Sequence, residues 1–285
     1  TKLPSGLEIG CYLKRGIPND CCLINKNKYP NVKSIGDLPK NSIIGTSSLR
    51  RKALIYYNYG KTHSFKIKDI RGNLDTRLRK LMNDEYDAIL LAKIGVERLR
   101  WINNKNLTII KLKKDKFPYA VGQAGLGIVI NSKNIDVKTM LHNNKINDIT
   151  CEIQCIMERT LLSILEGGCK VPIGCTSNIY SKCPCCGLLN NWESQKCEAC
   201  FTPLNNDNNQ YIYLYLYSCV LTQNGSNKIE YNKLLKCPYN GSNKIDNLIE
   251  NAKQIGINVA NELKSKGAMN IINDIKSSIN TSIKH

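Results

Sequence analysis

No apolar run in this chain of 285 residues reaches the roughly 20 residues that a membrane-spanning helix needs. No signal-peptide pattern opens it. It does not begin with Met, and Thr1-Lys2-Leu3-Pro4 reads as the middle of a loop, so the expectation is an N-terminal truncation. Acidic residues are scarce, 23 Asp and Glu against 41 Lys and Arg, for a formal net charge of +18. That imbalance points to a polyanionic partner, either nucleic acid or a molecule rich in carboxylates. Much of the excess is Lys scattered among Asn and Ile, as in proteins of A+T-rich genomes, and that part need carry no function. Cysteine is too sparse for a disulfide scaffold, 14 residues in all, and those are clustered, which points to a reducing compartment with local cysteine chemistry. A mean hydropathy of −0.32 with 42% hydrophobic residues describes a soluble globular chain, long enough for two or three compact units.

Residues 7–13 and 20–24 read as short strands, which makes Cys21 and Cys22 core residues. Ser42-Ile43-Ile44-Gly45 is a third strand running into Thr46-Ser47-Ser48-Leu49-Arg50-Arg51. There the hydroxyls cap a helix and two arginines occupy its first turns. Cations at a helix N-terminus oppose the helix dipole. Free N–H groups, hydroxyls and guanidinium groups at one spot form an anion site, although the stretch alone also reads as a solvated basic helix start. The pattern recurs. Residues 65–70 alternate as a strand, Arg71-Gly72-Asn73 follows, and an amphipathic helix carries Arg77. Residues 87–92 form another strand, leading to a helix with Arg98. Three strand–helix units in succession imply parallel strands with crossover helices, and ligands of such sheets bind beyond the carboxyl ends of the strands, where these arginines fall.

A Gly-rich bend holding Gln123 leads into a strand at 128–131. Helices are expected at 135–142 and 148–165, the second with Cys151 and Cys155 on one face, packed rather than ligating. After it comes Glu166-Gly167-Gly168-Cys169-Lys170-Val171-Pro172. Two glycines and a proline present one thiol on a tight loop, and Lys170 favours its thiolate. By itself the stretch also reads as a helix C-cap followed by a buried cysteine. Strands at 171–179, 211–222 and 227–236, the last two joined at Asn224-Gly225, then a helix at 245–265 and a last helix or strand at 268–279, make a small α+β domain. Residues 181–209 interrupt it with Cys183-Pro184-Cys185-Cys186-Gly187 and Cys197-Glu198-Ala199-Cys200. Cys183, Cys186, Cys197 and Cys200 have the spacing of a structural zinc site of four thiolates. The same segment also reads as an Asn-rich disordered loop. Its Cys-Glu-Ala-Cys ending and Asn190 resemble a zinc finger of the Ran-binding-protein type, with Ser181 where that family has Trp.

Four stretches together, Ile44-Gly45-Thr46-Ser47-Ser48-Leu49-Arg50-Arg51, Ile70-Arg71-Gly72-Asn73-Leu74-Asp75-Thr76-Arg77, Tyr86-Asp87-Ala88-Ile89-Leu90-Leu91-Ala92 and Leu165-Glu166-Gly167-Gly168-Cys169-Lys170-Val171-Pro172, resemble the porphobilinogen deaminase (hydroxymethylbilane synthase) family in order and spacing. The resemblance implies two doubly wound lobes like those of periplasmic binding proteins, the first incomplete, plus a C-terminal α+β domain with an antiparallel sheet. Residues 1–150 correspond to the lobes and 151–279 to the C-terminal domain. It implies head-to-tail condensation of four porphobilinogen molecules with release of ammonia, followed by hydrolytic release of a linear tetrapyrrole. It places a covalent dipyrromethane cofactor on Cys169. Thr46, Ser47, Ser48, Arg50, Arg51, Arg71, Gly72, Asn73, Arg77, Arg98 and Gln123 become binders of cofactor and substrate carboxylates. Porphobilinogen and the growing polypyrrole are then the polyanionic partner, in place of nucleic acid or membrane, for a monomer of cytoplasm or plastid. The family's catalytic aspartate, in a His-Ser-x-Lys-Asp motif, is expected upstream of Thr1, as is any targeting peptide, and a chain without that aspartate is alternatively an inactive anion-binding module or, through its cysteine-bearing segment, a zinc-dependent nucleic-acid or protein adaptor. One departure is local. The family's Gly-Gln-Gly-Ala-Leu-Gly stands here as Gly122-Gln123-Ala124-Gly125-Leu126-Gly127, which puts Ala124 where positive φ is poorly tolerated.

Overall fold

The structure, a computed structural model, describes residues 3–166, 171–204, 210–240 and 243–283. The chain enters through β1 (Leu7–Tyr12) and β2 (Asp20–Asn25), then runs β3 (Ile43–Gly45), α1 (Leu49–Tyr59), β4 (Lys66–Lys68), α2 (Leu74–Met82), β5 (Ala88–Ala92), α3 (Lys93–Arg98) and β6 (Leu107–Lys111). These strands form a five-stranded sheet in the order β4-β3-β5-β2-β6. β3 is parallel to β4 and β5, as the three strand–helix units require. β2 runs antiparallel to both β5 and β6, so the sheet is mixed rather than wholly parallel. The short β6 has no turn signal or alternation strong enough to have been expected.

Alternation along β2 explains why both faces of this sheet must be covered. Successive side chains of a strand point to opposite sides. Cys22 and Ile24 pack with Ala53, Leu54 and Ile55 of α1. Cys21 and Leu23 pack with Leu81 and Val96, joined by Leu74 and Leu78, from α2 and α3. Each fully buried side chain of this size contributes about 1.5–3 kcal/mol. The two cysteines are core residues, as expected, and burial pushes the thiol of Cys21 up to about 12.

The chain then leaves this sheet. β7 (Gly127–Asn131) pairs antiparallel with β1, and α4 (Ile135–Asn143) lays Leu141 against the pair. α5 (Ile149–Ile164), capped by Asp148, follows, then β8 (Ile173–Lys182), β9 (Leu189–Asn191), β10 (Tyr211–Leu221), β11 (Lys228–Pro238), α6 (Lys244–Ser265) and α7 (Ala268–Ile283). The last element is therefore a helix. The four strands form an antiparallel sheet ordered β11-β10-β8-β9. Ile212, Leu214 and Leu216 of β10 face the helices and are buried with Met157, Leu161, Ile255 and Val259. α5 and α6 cross closely at Gly256, where a Cβ would lie 2.7 Å from the Met157 carbonyl oxygen. β8 runs into the segment expected to be a loop, and β9 adds a short strand to the sheet edge, with Tyr180 opposite Asn191.

β10 belongs to two cores. Its final residues Cys219 and Leu221 pack with the α1 face of the five-stranded sheet. The turn after it presses on that helix as well: at Gly225, with φ of +67°, a Cβ would stand 2.7 Å from the Ala53 carbonyl oxygen.

The Gly/Ala exchange in the bend has a steric explanation. Ala124 adopts φ of +66°, in the region that L-residues other than Gly enter at a cost of about 1–2 kcal/mol. The glycine that follows it packs closely on α5: a Cβ on Gly125 would lie 3.0 Å from Cys155 Sγ. Cys151 and Cys155 pack with Tyr12, their sulfurs 3.9 Å apart. Ala124→Gly should therefore raise stability by about 0.5–1 kcal/mol, allowing for the entropy glycine adds to the unfolded chain. Urea midpoints of the two proteins check this, and an unchanged or lower midpoint would mean that the left-handed conformation carries no strain.

Candidate functional site

The carboxyl ends of β3, β4 and β5 lie at one edge of their sheet, and the segments carrying Thr46, Ser47, Ser48, Arg71, Gly72 and Asn73 leave it there. After β3, Thr46 is buried, and its N–H bonds to the Lys68 carbonyl at 3.0 Å. Ser47 Oγ donates to the Ile70 carbonyl at 2.8 Å and accepts the Ile70 N–H at 3.1 Å, tying the loop after β3 to the loop after β4. Ser48 caps α1 by accepting the Arg51 N–H. Asn73 caps α2 by accepting the Thr76 N–H at 2.8 Å. Gly72, between Arg71 and this cap, has φ of +105°, and its carbonyl accepts from Arg77 Nε at 2.9 Å. Arg71 and Arg98 are exposed, with no hydrogen bond or ion pair among the described residues.

Arg50 and Arg51 stand differently. Both reach Asp20, the first residue of β2, whose side chain is fully buried. Arg50 Nη1 lies 2.6 Å from one carboxylate oxygen, and Arg51 Nη2 and Nε lie 2.8 and 3.0 Å from the other. Gln123 Nε2 donates to Asp20 at 3.0 Å and to the Pro18 carbonyl at 2.6 Å, while Arg50 also bonds the Pro118 carbonyl at 2.6 Å. Burial pushes the Asp20 carboxyl up, but the charges and hydrogen bonds of the two guanidinium groups outweigh it and hold the pKa at about 2. Two cations at the start of α1 thus share one buried counter-charge, which removes most of the expected conflict with the helix dipole. Arg50 Nε is buried with no partner among the described residues. The signal for Asp20 was an acidic side chain heading an otherwise apolar strand, since a charge there has to be paired.

A second buried cluster involves residues that the sequence reading passed over. Glu158 of α5 is fully buried and meets Arg15 Nη1 at 2.7 Å and Nη2 at 3.0 Å. It also accepts from Ser177 Oγ at 2.6 Å and from the Gly122 N–H at 2.7 Å. Tyr119, buried beside it, has its hydroxyl pKa raised, first by burial and then by the Glu158 charge. Arg15 completes its set on the Gln123 carbonyl, with Nη2 at 3.0 Å and Nε at 3.1 Å. A cavity of about 300 Å³ beside Arg15, lined also by Lys114, Gln154, Ser177 and Asn191, contains none of the expected ligand-binding residues.

Cys169 lies outside the described residues. Around it, α5 ends at Ile164, Glu166 adopts φ of +49°, and Val171 is buried. The sulfurs of Cys183, Cys186, Cys197 and Cys200 all lie within 4.8 Å of one another, and no other such cluster of three or more ligands is found among the described residues.

Arginines, hydroxyls and capped helix starts beyond the carboxyl ends of the parallel strands define an α/β protein with a donor-rich sheet edge. Residues 1–139 match the family profile "Porphobilinogen deaminase, dipyromethane cofactor binding domain", and residues 152–183 match the C-terminal domain of porphobilinogen deaminase. The porphobilinogen deaminase of Prochlorococcus marinus strain NATL2A is 34% identical over 279 residues, covering 96% of this chain and 71% of that protein. The one from Staphylococcus epidermidis is 42% identical over 176 residues, 60% of this chain and 52% of that protein. The chain belongs to the porphobilinogen deaminase family. The C-terminal match stops at residue 183, where the cysteine-bearing segment begins.

The Asp20 cluster sets a pH dependence. A carboxyl held at about 2 when folded and near 3.9 when unfolded stabilises the fold fully above the unfolded value. That contribution is lost as pH falls through the folded value. Asp20→Asn should cost about 3–5 kcal/mol at neutral pH, the usual result of removing one partner from a buried pair. The gap to the unsubstituted protein should narrow as pH falls below about 4. Urea unfolding at several pH values measures both, and a gap that stays constant with pH would contradict the assignment.

Proposed function

We propose that the arginine-bearing strand ends of this chain grip the carboxylates of porphobilinogen and of the growing polypyrrole. As a member of its family the chain is a transferase of porphyrin biosynthesis, a hydroxymethylbilane synthase. It joins four porphobilinogen molecules head to tail with loss of ammonia, and then releases the linear tetrapyrrole by hydrolysis. The dipyrromethane cofactor, carried on Cys169, supplies the pyrrole carbon from which the chain is extended.

The observation that carries the site assignment is the state of the arginines. Arg71, directly beyond β4, and Arg98, at the end of α3, are exposed and have no partner among the described residues. Arg77 is oriented by the Gly72 carbonyl and keeps its terminal N–H groups for a ligand. Planar guanidinium forks match carboxylates two bonds at a time, and each pyrrole unit brings an acetate and a propionate. Arg50 and Arg51 have a different share of the work. Fixed on Asp20, they leave a net single positive charge in a rigid frame, and Arg50 Nε remains open as a buried donor. An oligopyrrole with its row of carboxylates fits this donor set. Thr46, Ser47, Ser48 and Asn73 set the loops from which the ligand is held. Gln123 keeps the crossing segment against Asp20. The charge of +18 serves this carboxylate-rich partner in place of nucleic acid. No helix among the described residues is long and apolar enough to cross a membrane, and we place the chain as a monomer in cytoplasm or plastid.

Incubation with porphobilinogen followed by intact-mass analysis tests the reading. The expected gain is two porphobilinogen units less two ammonia, mapped to the peptide containing Cys169 and absent in Cys169→Ala. Absence of any adduct on the unsubstituted chain, with porphobilinogen still bound, would favour a non-catalytic anion-binding module. An adduct that survives the substitution would overturn the cofactor site.

Arg71→Leu and Arg77→Leu should weaken turnover or substrate binding far more than Lys264→Leu. Each of the first two leaves a ligand carboxylate unpaired, at about 2–5 kcal/mol. Lys264, in the last turn of α6, is a helix-end charge worth at most about 1 kcal/mol. Comparable losses for all three variants in steady-state assays or calorimetry would refute the placement.

A further inference from the structure

We propose that Cys183, Cys186, Cys197 and Cys200 bind one Zn²⁺ in a closed shell of four thiolates, and that this metal holds the sheet-edge strand β9 and Trp192 in place. The donor geometry is the first support. Cys183 Sγ lies 3.6 Å from Cys200 Sγ, and Cys186 Sγ lies 3.5 Å from Cys197 Sγ. A tetrahedron with Zn–S bonds of about 2.3 Å has edges of about 3.8 Å. The pairs are too far apart to be disulfides, whose S–S bond is about 2.05 Å.

The second support is that two unrelated sequences adopt the same turn. In Cys183-Pro184-Cys185-Cys186-Gly187, the Gly187 N–H bonds back to the Cys183 carbonyl at 3.0 Å, and in Cys197-Glu198-Ala199-Cys200-Phe201 the Phe201 N–H bonds back to the Cys197 carbonyl, also at 3.0 Å. Both closing residues are left-handed, Gly187 at φ of +76° and Phe201 at +58°. For glycine that costs nothing, but for phenylalanine it is strained. Phe201 is 74% exposed, so packing does not hold it there. A ligand shared by the two turns does. Their sulfurs also have an outer shell: Asn190, itself buried, donates Nδ2–H to Cys197 Sγ at 3.6 Å while accepting the Glu198 N–H at 2.9 Å, and Thr202 Oγ1 meets Cys200 Sγ at 3.1 Å. Such partners orient metal ligands.

The third support is what the segment lacks. Leu188 and Phe201 are exposed, so the turns have no apolar centre of their own, and metal binding supplies the order. With all four positions taken by sulfur, the ion has no place for substrate. Zn²⁺ has no redox chemistry and suits a site in which one ligand, Cys186, is exposed. The metal has a mechanical effect at the base of the segment. β9 pairs with β8, and the next residue, Trp192, packs into the C-terminal core, edge-on to Tyr239 with ring centroids 5.2 Å apart. Asn191 and Glu193, on either side of it, line the cavity beside Arg15. The segment is therefore joined to the body of the domain through its first half, while the metal ties the second half back to that anchor.

The full chain, purified under reducing conditions, should contain one equivalent of zinc by plasma mass spectrometry. Cys185→Ser should retain it and Cys197→Ser should lose it, which separates ligands from the neighbouring free thiol. Should the Cys197 variant fail to fold, replacement of zinc by Co²⁺ in the unsubstituted chain should give the visible bands of a tetrahedral tetrathiolate. In a Trp101→Phe background Trp192 is the only indole, and chelation should shift its emission to the red with little change in helical circular dichroism. Sub-stoichiometric zinc, an iron chromophore, a mass deficit from disulfides or equal zinc loss in the Cys185 and Cys197 variants would overturn the site. Zinc removal without a change in Trp192 emission would overturn its role at the sheet edge.

Discussion

The carboxylate of Asp20 is the constraint around which the arginine-bearing edge is arranged. It is taken out of water at the head of β2, and such a charge is tolerated only where hydrogen bonds and opposite charge surround it. Arg50 and Arg51 provide the charge from the start of α1, and Gln123 provides a further bond from a bend about 100 residues away in the chain. Three distant segments are thereby fixed to one another at the mouth of the sheet. The two guanidinium groups also lose the freedom that makes surface arginines poor at holding a ligand in one pose. Arg71 and Arg98, both exposed, carry no such restraint among the described residues.

Arg15 and Glu158 perform the corresponding task for the C-terminal domain, joining the β1–β2 connection to α5 and β8. The two networks meet in one residue. The Gln123 side chain belongs to Asp20 and its carbonyl oxygen belongs to Arg15. The bend that carries it is the place where the chain crosses from the five-stranded sheet back to β7. Ala124, next in sequence, accepts a left-handed conformation there, and Gly125 gives way to the sulfur of Cys155. The crossing is thus determined by hydrogen bonds on one side and by close packing on the other.

Local features were legible in the sequence. The Ser48 and Asn73 caps, the turn at Asn224-Gly225, the alternation of β10 and the two Cys-x-x-Cys pairs declare themselves within a few residues. Pairings between distant charges do not, because no periodicity links Arg15 to Glu158 or Asp20 to Arg50. For the same reason the internal carboxylate shared by Arg50 and Arg51 is not visible in the sequence. β6 and β9 were missed because each is short and owes its conformation to a neighbouring strand rather than to its own residues. The run from residue 181 to 209 looked like an insertion separate from the sheet. Its first part continues β8 and returns as β9, a consequence of edge pairing that composition could not reveal.

The shared strand β10 has a mechanical consequence. One strand contributes Leu214 and Leu216 to the C-terminal core and Cys219 and Leu221 to the α1 face of the five-stranded sheet, and the turn beyond it abuts the backbone of α1. A strand cannot bend sharply in its middle without giving up ladder hydrogen bonds on both sides. β10 therefore spans the boundary as a splint, packed into the cores on both sides of it. The β1–β7 pair and α4 are joined to that body by three connections, those that carry Arg15 and Gln123 and the short link from α4 to α5.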